Sequence, residues 1–288
     1  MLTNLKEFQN TAVNQLLASC SQMLDLPTRQ NICVLKSPTG SGKTYMTAAF
    51  IERLVNRRED ELCFVWVTIG KGDLQIQSRN ALLRYFKGNP SVHLIEEEFN
   101  GGRTSINRNE VVVVNWEKIR SKVRATGEWA NNLMKEGETT NFREVLSNTR
   151  QLRKIVLIID ESHIGATAER TQELKDEFDA HVVLEVSATP KLVPDAFAIK
   201  NGTGDIIQVS AADVIEEGLI KKDIIINQGL DDMALNGKDS QTAVLVRAFD
   251  KRLEIQKAFD DVNVDIPFDW VAPKVTRIAI DRRDPTFH

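Results

Sequence analysis

Four stretches of the chain are apolar at almost every position: residues 31–35, 62–68, 155–159 and 182–186. Two shorter ones lie at 92–95 and 111–114. Continuous runs of this length suit strands buried on both faces, as in a parallel sheet. Between them the spacing changes to that of amphipathic helices. Leu5 to Leu24 places Phe8, Val13, Leu16 and Leu17 on one side, and further helices are expected from Lys43 to Arg58 and from Asp73, as N-cap, to about Phe86. Residues 120–150 are polar and helical in pattern, broken at Gly127 and Gly137, and read as an insertion between core strands. Beyond Pro190 a short helix is expected over 211–219, a strand over 223–227, a loop over 229–239 and a long helix over 240–259. Strands alternating with helices predict an α/β fold, a mostly parallel sheet with helices on both faces. In such sheets ligands bind at the carboxyl ends of the strands.

Composition narrows the class. The 288 residues are 42% hydrophobic and 27% charged, which is globular, and the net charge of −4 argues against a wholesale electrostatic grip on nucleic acid while allowing a local basic groove. Cys20, Cys33 and Cys63 are scattered and odd in number, so reduced thiols are expected rather than a disulfide framework. The four histidines show no metal-ligand spacing, and neither a signal-peptide pattern nor a membrane-spanning run is present. The expectation is a cytoplasmic protein with no membrane partner.

The chemistry gathers at the ends of the apolar runs. Ser37-Pro-Thr39-Gly40-Ser41-Gly42-Lys43-Thr44 follows the first run and opens a helix. Gly40 and Gly42 let the backbone curl so that N–H groups face phosphate oxygens, and the helix adds its positive end. Lys43 can reach the β- and γ-phosphates and the Thr44 hydroxyl can ligate Mg²⁺, so the expected cofactors are ATP and Mg²⁺. Asp160-Glu161-Ser162-His163 follows the run at 155–159. Asp160 is placed to hold Mg²⁺ through water, and Glu161 to orient and deprotonate an attacking water. His163, with no Cys or second His at zinc spacing, is assigned to relaying the state of the phosphate site. Ser187-Ala-Thr189-Pro190 closes the run at 182–186, where the two hydroxyls can bond the acidic turn and couple it to neighbouring loops.

A phosphate loop, then Asp-Glu-x-His, then Ser-Ala-Thr, on successive strands, resembles the first RecA-like domain of DEAD/DEAH-like superfamily 2 helicases and translocases. Leu5-Lys-Glu-Phe8-Gln9, Asn115-Trp116-Glu117-Lys118 and residues 212–221 are similar to elements of the motor subunit of type III restriction enzymes. The resemblance implies a RecA-like P-loop domain over 1–225 and a short, incomplete extension over 226–288. It implies that Gln9 reads the adenine edge with Phe8 packed nearby. Nucleic acid would cross the strand ends opposite the nucleotide, at 68–72 and 114–116, with Gly70, Lys71 and Asn115 touching it. For Lys71 a solvated loop lysine is an equal reading, and for Trp116 a core aromatic is preferred to base stacking. The expected function is an ATP-hydrolysing DNA helicase or translocase motor, an RNA helicase fragment or an inert nucleotide-binding module being the alternatives. The implied partners are DNA rather than RNA, and a second RecA-like domain or partner subunit, such as a modification or specificity subunit. After Phe259 too little chain remains for a second domain, so a truncated or frame-shifted end is expected, and the isolated chain should bind Mg-ATP, hydrolyse it slowly and not translocate.

Overall fold

A computed structural model describes residues 4–70, 72–95, 103–122, 129–131, 142–160 and 168–220, with 246, 249–250, 252–254 and 256–257. The chain divides into two compact units, Met1–Lys222 and Asp223–His288. In the second unit the described residues are helical, within the span expected as a long helix, and the strand expected at 223–227 lies outside the described residues.

In the first unit α1 (Glu7–Asp25) precedes β1 (Asn31–Lys36), α2 (Lys43–Arg57), β2 (Leu62–Thr68), α3 (Leu74–Phe86), β3 (Ser91–Leu94) and β4 (Glu110–Asn115). A single turn, α4 (Trp116–Ile119), leads to β5 (Arg120–Lys122) and β6 (Trp129–Asn131). Then follow α5 (Phe142–Leu152), β7 (Lys154–Asp160), α6 (Ala168–Phe178), β8 (Val182–Ser187), α7 (Ala196–Lys200), β9 (Gly204–Gln208) and α8 (Ala211–Glu216). Seven strands form one sheet in the order β3-β4-β2-β7-β8-β1-β9, and every pairing is parallel. This is the RecA-like α/β architecture.

Successive side chains of a strand point to opposite faces, so the apolar runs feed two cores. Phe64, Trp66, Ile158 and Leu184 face α1, α2 and α3, where Leu16, Phe50 and Phe86 cover them. Val65, Val67, Leu157 and Ile159 face the other way, onto Phe142, Leu146, Leu174 and Phe178. Trp116 belongs to this second core, 1% exposed, with its ring centroid 5.7 Å from that of Phe178. All three cysteines are buried free thiols, and burial pushes the Cys63 thiol up to about 12.

Three local expectations need correction. In the stretch read as a polar helical insertion, β5 and β6 form an antiparallel pair, and among the described residues the helix runs over Phe142–Leu152. Apolar spacing exists only there, with Phe142, Val145, Leu146 and Thr149 buried one helical face apart. The sequence pattern also left β9 and α6 unmarked. Among the described residues β9 is an edge strand that pairs with β1, so one side of it demands no apolar run. Finally, Asp73 sits at the N-cap of α3 but its side chain makes no cap hydrogen bond; its backbone carbonyl accepts from Ile76 and Gln77 N–H instead.

Candidate nucleotide site and adjoining loops

Parallel registry sets the site. Leu35, Val186, Asp160, Thr68 and Asn115 are consecutive partners across β1, β8, β7, β2 and β4, so they form one transverse row at the carboxyl ends of the strands. One residue further on, Lys36 pairs with Ser187, and Ser37 N–H donates to the Ser187 carbonyl at 3.1 Å. The start of the phosphate loop is thereby tied to the start of the Ser-Ala-Thr turn.

The loop folds around the Pro38 carbonyl. That oxygen accepts from Ser41 N–H at 3.3 Å, Ser41 Oγ at 2.7 Å and Lys43 Nζ at 3.4 Å. With its proton committed to Pro38, Ser41 Oγ is left to accept from Ser37 Oγ, 2.6 Å away. Ser37 is 1% exposed and closes the loop through this bond. Gly40 and Gly42 have φ of +86° and +84°, a region other residues enter at a cost. A Cβ at Gly40 would lie 2.9 Å from Ile220, and one at Gly42 would lie 2.7 Å from Gln9 Nε2. Lys43 is buried, its amine parked on Pro38.

Gln9, in the first turn of α1, has both ends of its amide engaged. Its Oε1 accepts from Lys6 N–H at 3.0 Å and its Nε2 donates to the Ser41 carbonyl at 2.8 Å. Phe8 is partly buried against the core beneath. Lys6 reaches forward to Glu217 at 3.0 Å.

Thr44 and Asp160 line one cavity of ≈ 290 Å³, together with Thr68, Gln77, Ser78 and Tyr85. Asp160 is 6% exposed at the end of β7. A hydroxyl and a carboxylate on a shared cavity beside a curled, glycine-bearing loop form a donor set that suits a hard divalent cation held next to phosphate oxygens. A larger cavity of ≈ 390 Å³ runs between α2 and α3 past Tyr45, Glu52, Arg84 and Asn89, and neither Thr44 nor Asp160 lines it. Glu161, His163 and Lys71 lie outside the described residues.

Ser187 is fully buried, and its Oγ accepts from Thr189 N–H at 3.1 Å, while Thr189 is exposed. A residue that sequence reasoning passed over controls the rest of this turn. Glu185, 0% exposed, accepts from Lys191 N–H at 2.8 and 3.0 Å and from Leu192 N–H at 2.6 Å. A carboxylate inside an otherwise apolar strand was the signal available, since such a group is buried only where it is bonded.

On the far side, Gly70 and Gly72 have φ of +136° and +94°. Asn115 is 1% exposed and its amide points into this loop: Nδ2 lies 3.2 Å from the Gly70 carbonyl, 3.4 Å from that of Gly72 and 3.2 Å from Gln75 Oε1. Asn115 is thus a buried group behind the loop and not an exposed one upon it.

The family described as type III restriction enzyme, res subunit, matches residues 2–192. A search of curated protein sequences finds no match. Among solved structures, the UvsW helicase from bacteriophage T4 is similar at 14% identity and a TM-score of 0.39, over 71% of this chain and 60% of that one. A nuclease-deletion mutant of the type ISP restriction-modification enzyme LlaGI, in complex with a DNA substrate mimic, is 14% identical with a TM-score of 0.47, over 77% of this chain and 21% of that one. The Sulfolobus solfataricus SWI2/SNF2 ATPase core in complex with double-stranded DNA is 14% identical with a TM-score of 0.40, over 65% of this chain and 32% of that one. The chain therefore spans between 21% and 60% of the length of these three proteins. Among the described residues, no helix is long and apolar enough to cross a membrane.

Proposed function

The chain belongs to the type III restriction enzyme res-subunit family, and from that premise we propose that its first unit is an ATP-hydrolysing motor domain of a DNA helicase or translocase, working with Mg²⁺. The observation that carries this reading is the cavity shared by Thr44, the residue that follows the 37–43 loop, and Asp160, at the end of β7. Two features fit a magnesium triphosphate: a loop whose glycines have no room for a Cβ, and an acid and a hydroxyl facing one space.

The division of labour follows from the chemistry of each residue. Backbone N–H groups of the loop and the N-terminus of α2 would hold phosphate oxygens. Lys43, whose ammonium now donates to the Pro38 carbonyl, would hold the β- and γ-phosphates, a favourable exchange because a neutral acceptor gives way to an anion. Thr44 and Asp160 would hold Mg²⁺, which when bound neutralises charge on the β- and γ-oxygens. Glu161, next in sequence, would accept the proton of the attacking water. His163, Ser187 and Thr189 would carry the state of this site to the adjoining loops, and Gln9 would present its amide to the base. DNA would pass the strand ends at Gly70 and Lys71, with Asn115 behind them, and a second RecA-like domain or subunit would complete the motor.

The test is direct. Phosphate release by the purified chain is measured with Mg-ATP alone, with duplex DNA and with RNA. Slow release, lost in Lys43→Ala and Asp160→Asn, is the expected result, and brisk DNA-stimulated release by this chain alone would refute the need for a second domain. Stimulation by RNA alone would reassign the substrate, and wild-type nucleotide affinity in Lys43→Ala would remove the site.

A further inference from the structure

One face of α3 walls the cavity into which Thr44 and Asp160 look. Leu74, Gln77, Ser78, Ala81 and Tyr85 all line that space, at i, i+3, i+4, i+7 and i+11, the spacing of one side of a helix. Leu74 and Ala81 give the wall carbon. Tyr85 ties it to α2, because its ring meets that of Tyr45 edge-on with centroids 5.1 Å apart, and Tyr45 directly follows Thr44.

Gln77 and Ser78 break the pattern, an amide and a hydroxyl side by side on this face. Gln77 is exposed and Ser78 half-buried. Among the described residues neither side chain makes a hydrogen bond, whereas the hydroxyl of Thr68, across the same cavity, is spent on the Val114 carbonyl at 3.3 Å. Mg²⁺ sheds water reluctantly and is held through few protein oxygens, so most of its ligands in a nucleotide site are waters, and their protons need acceptors. Thr44 and Asp160 stand on α2 and β7. On the α3 side, Gln77 Oε1 and Ser78 Oγ are acceptors with no other engagement among the described residues.

We propose that Gln77 and Ser78 are positioning residues for the divalent cation: they accept hydrogen bonds from its bound waters and make α3 a second wall of the metal site. This rests on the Mg-ATP reading above and extends it to a helix to which that reading gives no part. Neither residue is asked to touch the triphosphate, so their effect is confined to the metal-dependent share of nucleotide binding.

ATP affinity of the full chain is measured by titration calorimetry with Mg²⁺ and again with EDTA, for wild type, for a Gln77→Leu, Ser78→Ala double variant and for Gln77→Glu. Mn²⁺ affinity in the presence of ATP, read by electron paramagnetic resonance, reports on the metal directly. In the double variant, ATP affinity in EDTA should equal that of wild type, while the tightening by Mg²⁺ and the affinity for Mn²⁺ should each fall by about tenfold, as outer-shell partners of a metal do. Gln77→Glu keeps an acceptor and adds negative charge, and should preserve both. Undiminished Mg²⁺ tightening and Mn²⁺ affinity in the double variant overturn the proposal. So does an equal loss of ATP affinity with and without metal, which is what a merely structural role would give. Wild-type protein whose ATP affinity is the same in Mg²⁺ and EDTA overturns the magnesium reading itself, and the proposal with it, whatever the variants do.

Discussion

Gln9 Nε2 donates to the Ser41 carbonyl at 2.8 Å, joining the first helix of the chain to the middle of the phosphate loop, 32 residues away. The same amide accepts from Lys6 N–H, so it bridges two backbone groups. A neutral hydrogen bond is worth about 1 kcal/mol net. Gln9→Ala should therefore weaken Mg-ATP binding by about fivefold. Gln9→Glu, which turns an oxygen toward the Ser41 carbonyl and adds negative charge near the triphosphate, should weaken it further. Titration calorimetry checks this, and wild-type affinity in Gln9→Glu would sink the idea that this bond sets the loop.

The glycines allow a graded test. Gly42→Ala meets both a left-handed backbone, worth about 1–2 kcal/mol, and Gln9 Nε2 at 2.7 Å. Gly72→Ala meets only the backbone cost, in open space. Nucleotide binding should be lost in Gly42→Ala and in Lys43→Ala, with the far-ultraviolet spectrum kept in both, and should be unaffected in Gly72→Ala. Equal loss in Gly42→Ala and Gly72→Ala would mean the loop's fit to phosphate is not what was measured.

Glu185 is expected to matter for stability. Truncation to alanine leaves Lys191 and Leu192 N–H without their acceptor, a loss on the order of 3 kcal/mol, or about 10 °C in melting temperature for a domain of this size. Glu185→Gln, which keeps one oxygen, should fall between. Thermal melts of the two variants decide it; a wild-type melt for Glu185→Ala would show that the turn is held by other groups.

Stability should also fall on mild acidification. Burial, and then the nearby Arg29 and Lys154, hold the His181 pKa below its ordinary 6.5. Its Nδ1 accepts from Ile155 N–H at 3.3 Å, a bond that protonation would abolish. The unfolded chain thus binds the proton more readily, and stability is lost as the pH falls below about 6.5. Asp25, held low by its bond to Arg58, and Asp60, where Arg58 and Lys154 outweigh burial, add losses only below their ordinary 3.8. Melting temperatures from pH 7.5 to 5.5 should decline in wild type and flatten in His181→Asn; a flat wild-type profile counts against the assignment.

The strands that carry the site were legible because each is buried on both faces. β2 is apolar through Leu62–Thr68 for that reason, and Thr68 marks its end. Signals weakened where one side of an element faces solvent or an edge. α6, Ala168–Phe178, buries Leu174 and Phe178 but is otherwise largely polar, and β9 has one neighbour among the described residues. In the phosphate loop, residue types pointed to phosphate chemistry, yet nothing in them foretold that Ser37 and Ser41 would bond each other, or that Lys43 would be parked on Pro38.

The sequence by itself determined the class of fold, the order of the strands' apolar runs, and which residues end them, because burial and backbone freedom act on local stretches of chain. Only the tertiary structure decided which of those ends meet. Parallel registry put Asp160 between Val186 and Thr68, and Asn115 beyond them. It also turned the Asn115 amide inward and aimed Glu185 at a backbone turn six residues on. Hydrogen-bond partners of buried polar groups are set by packing between distant segments, and no local pattern encodes that choice.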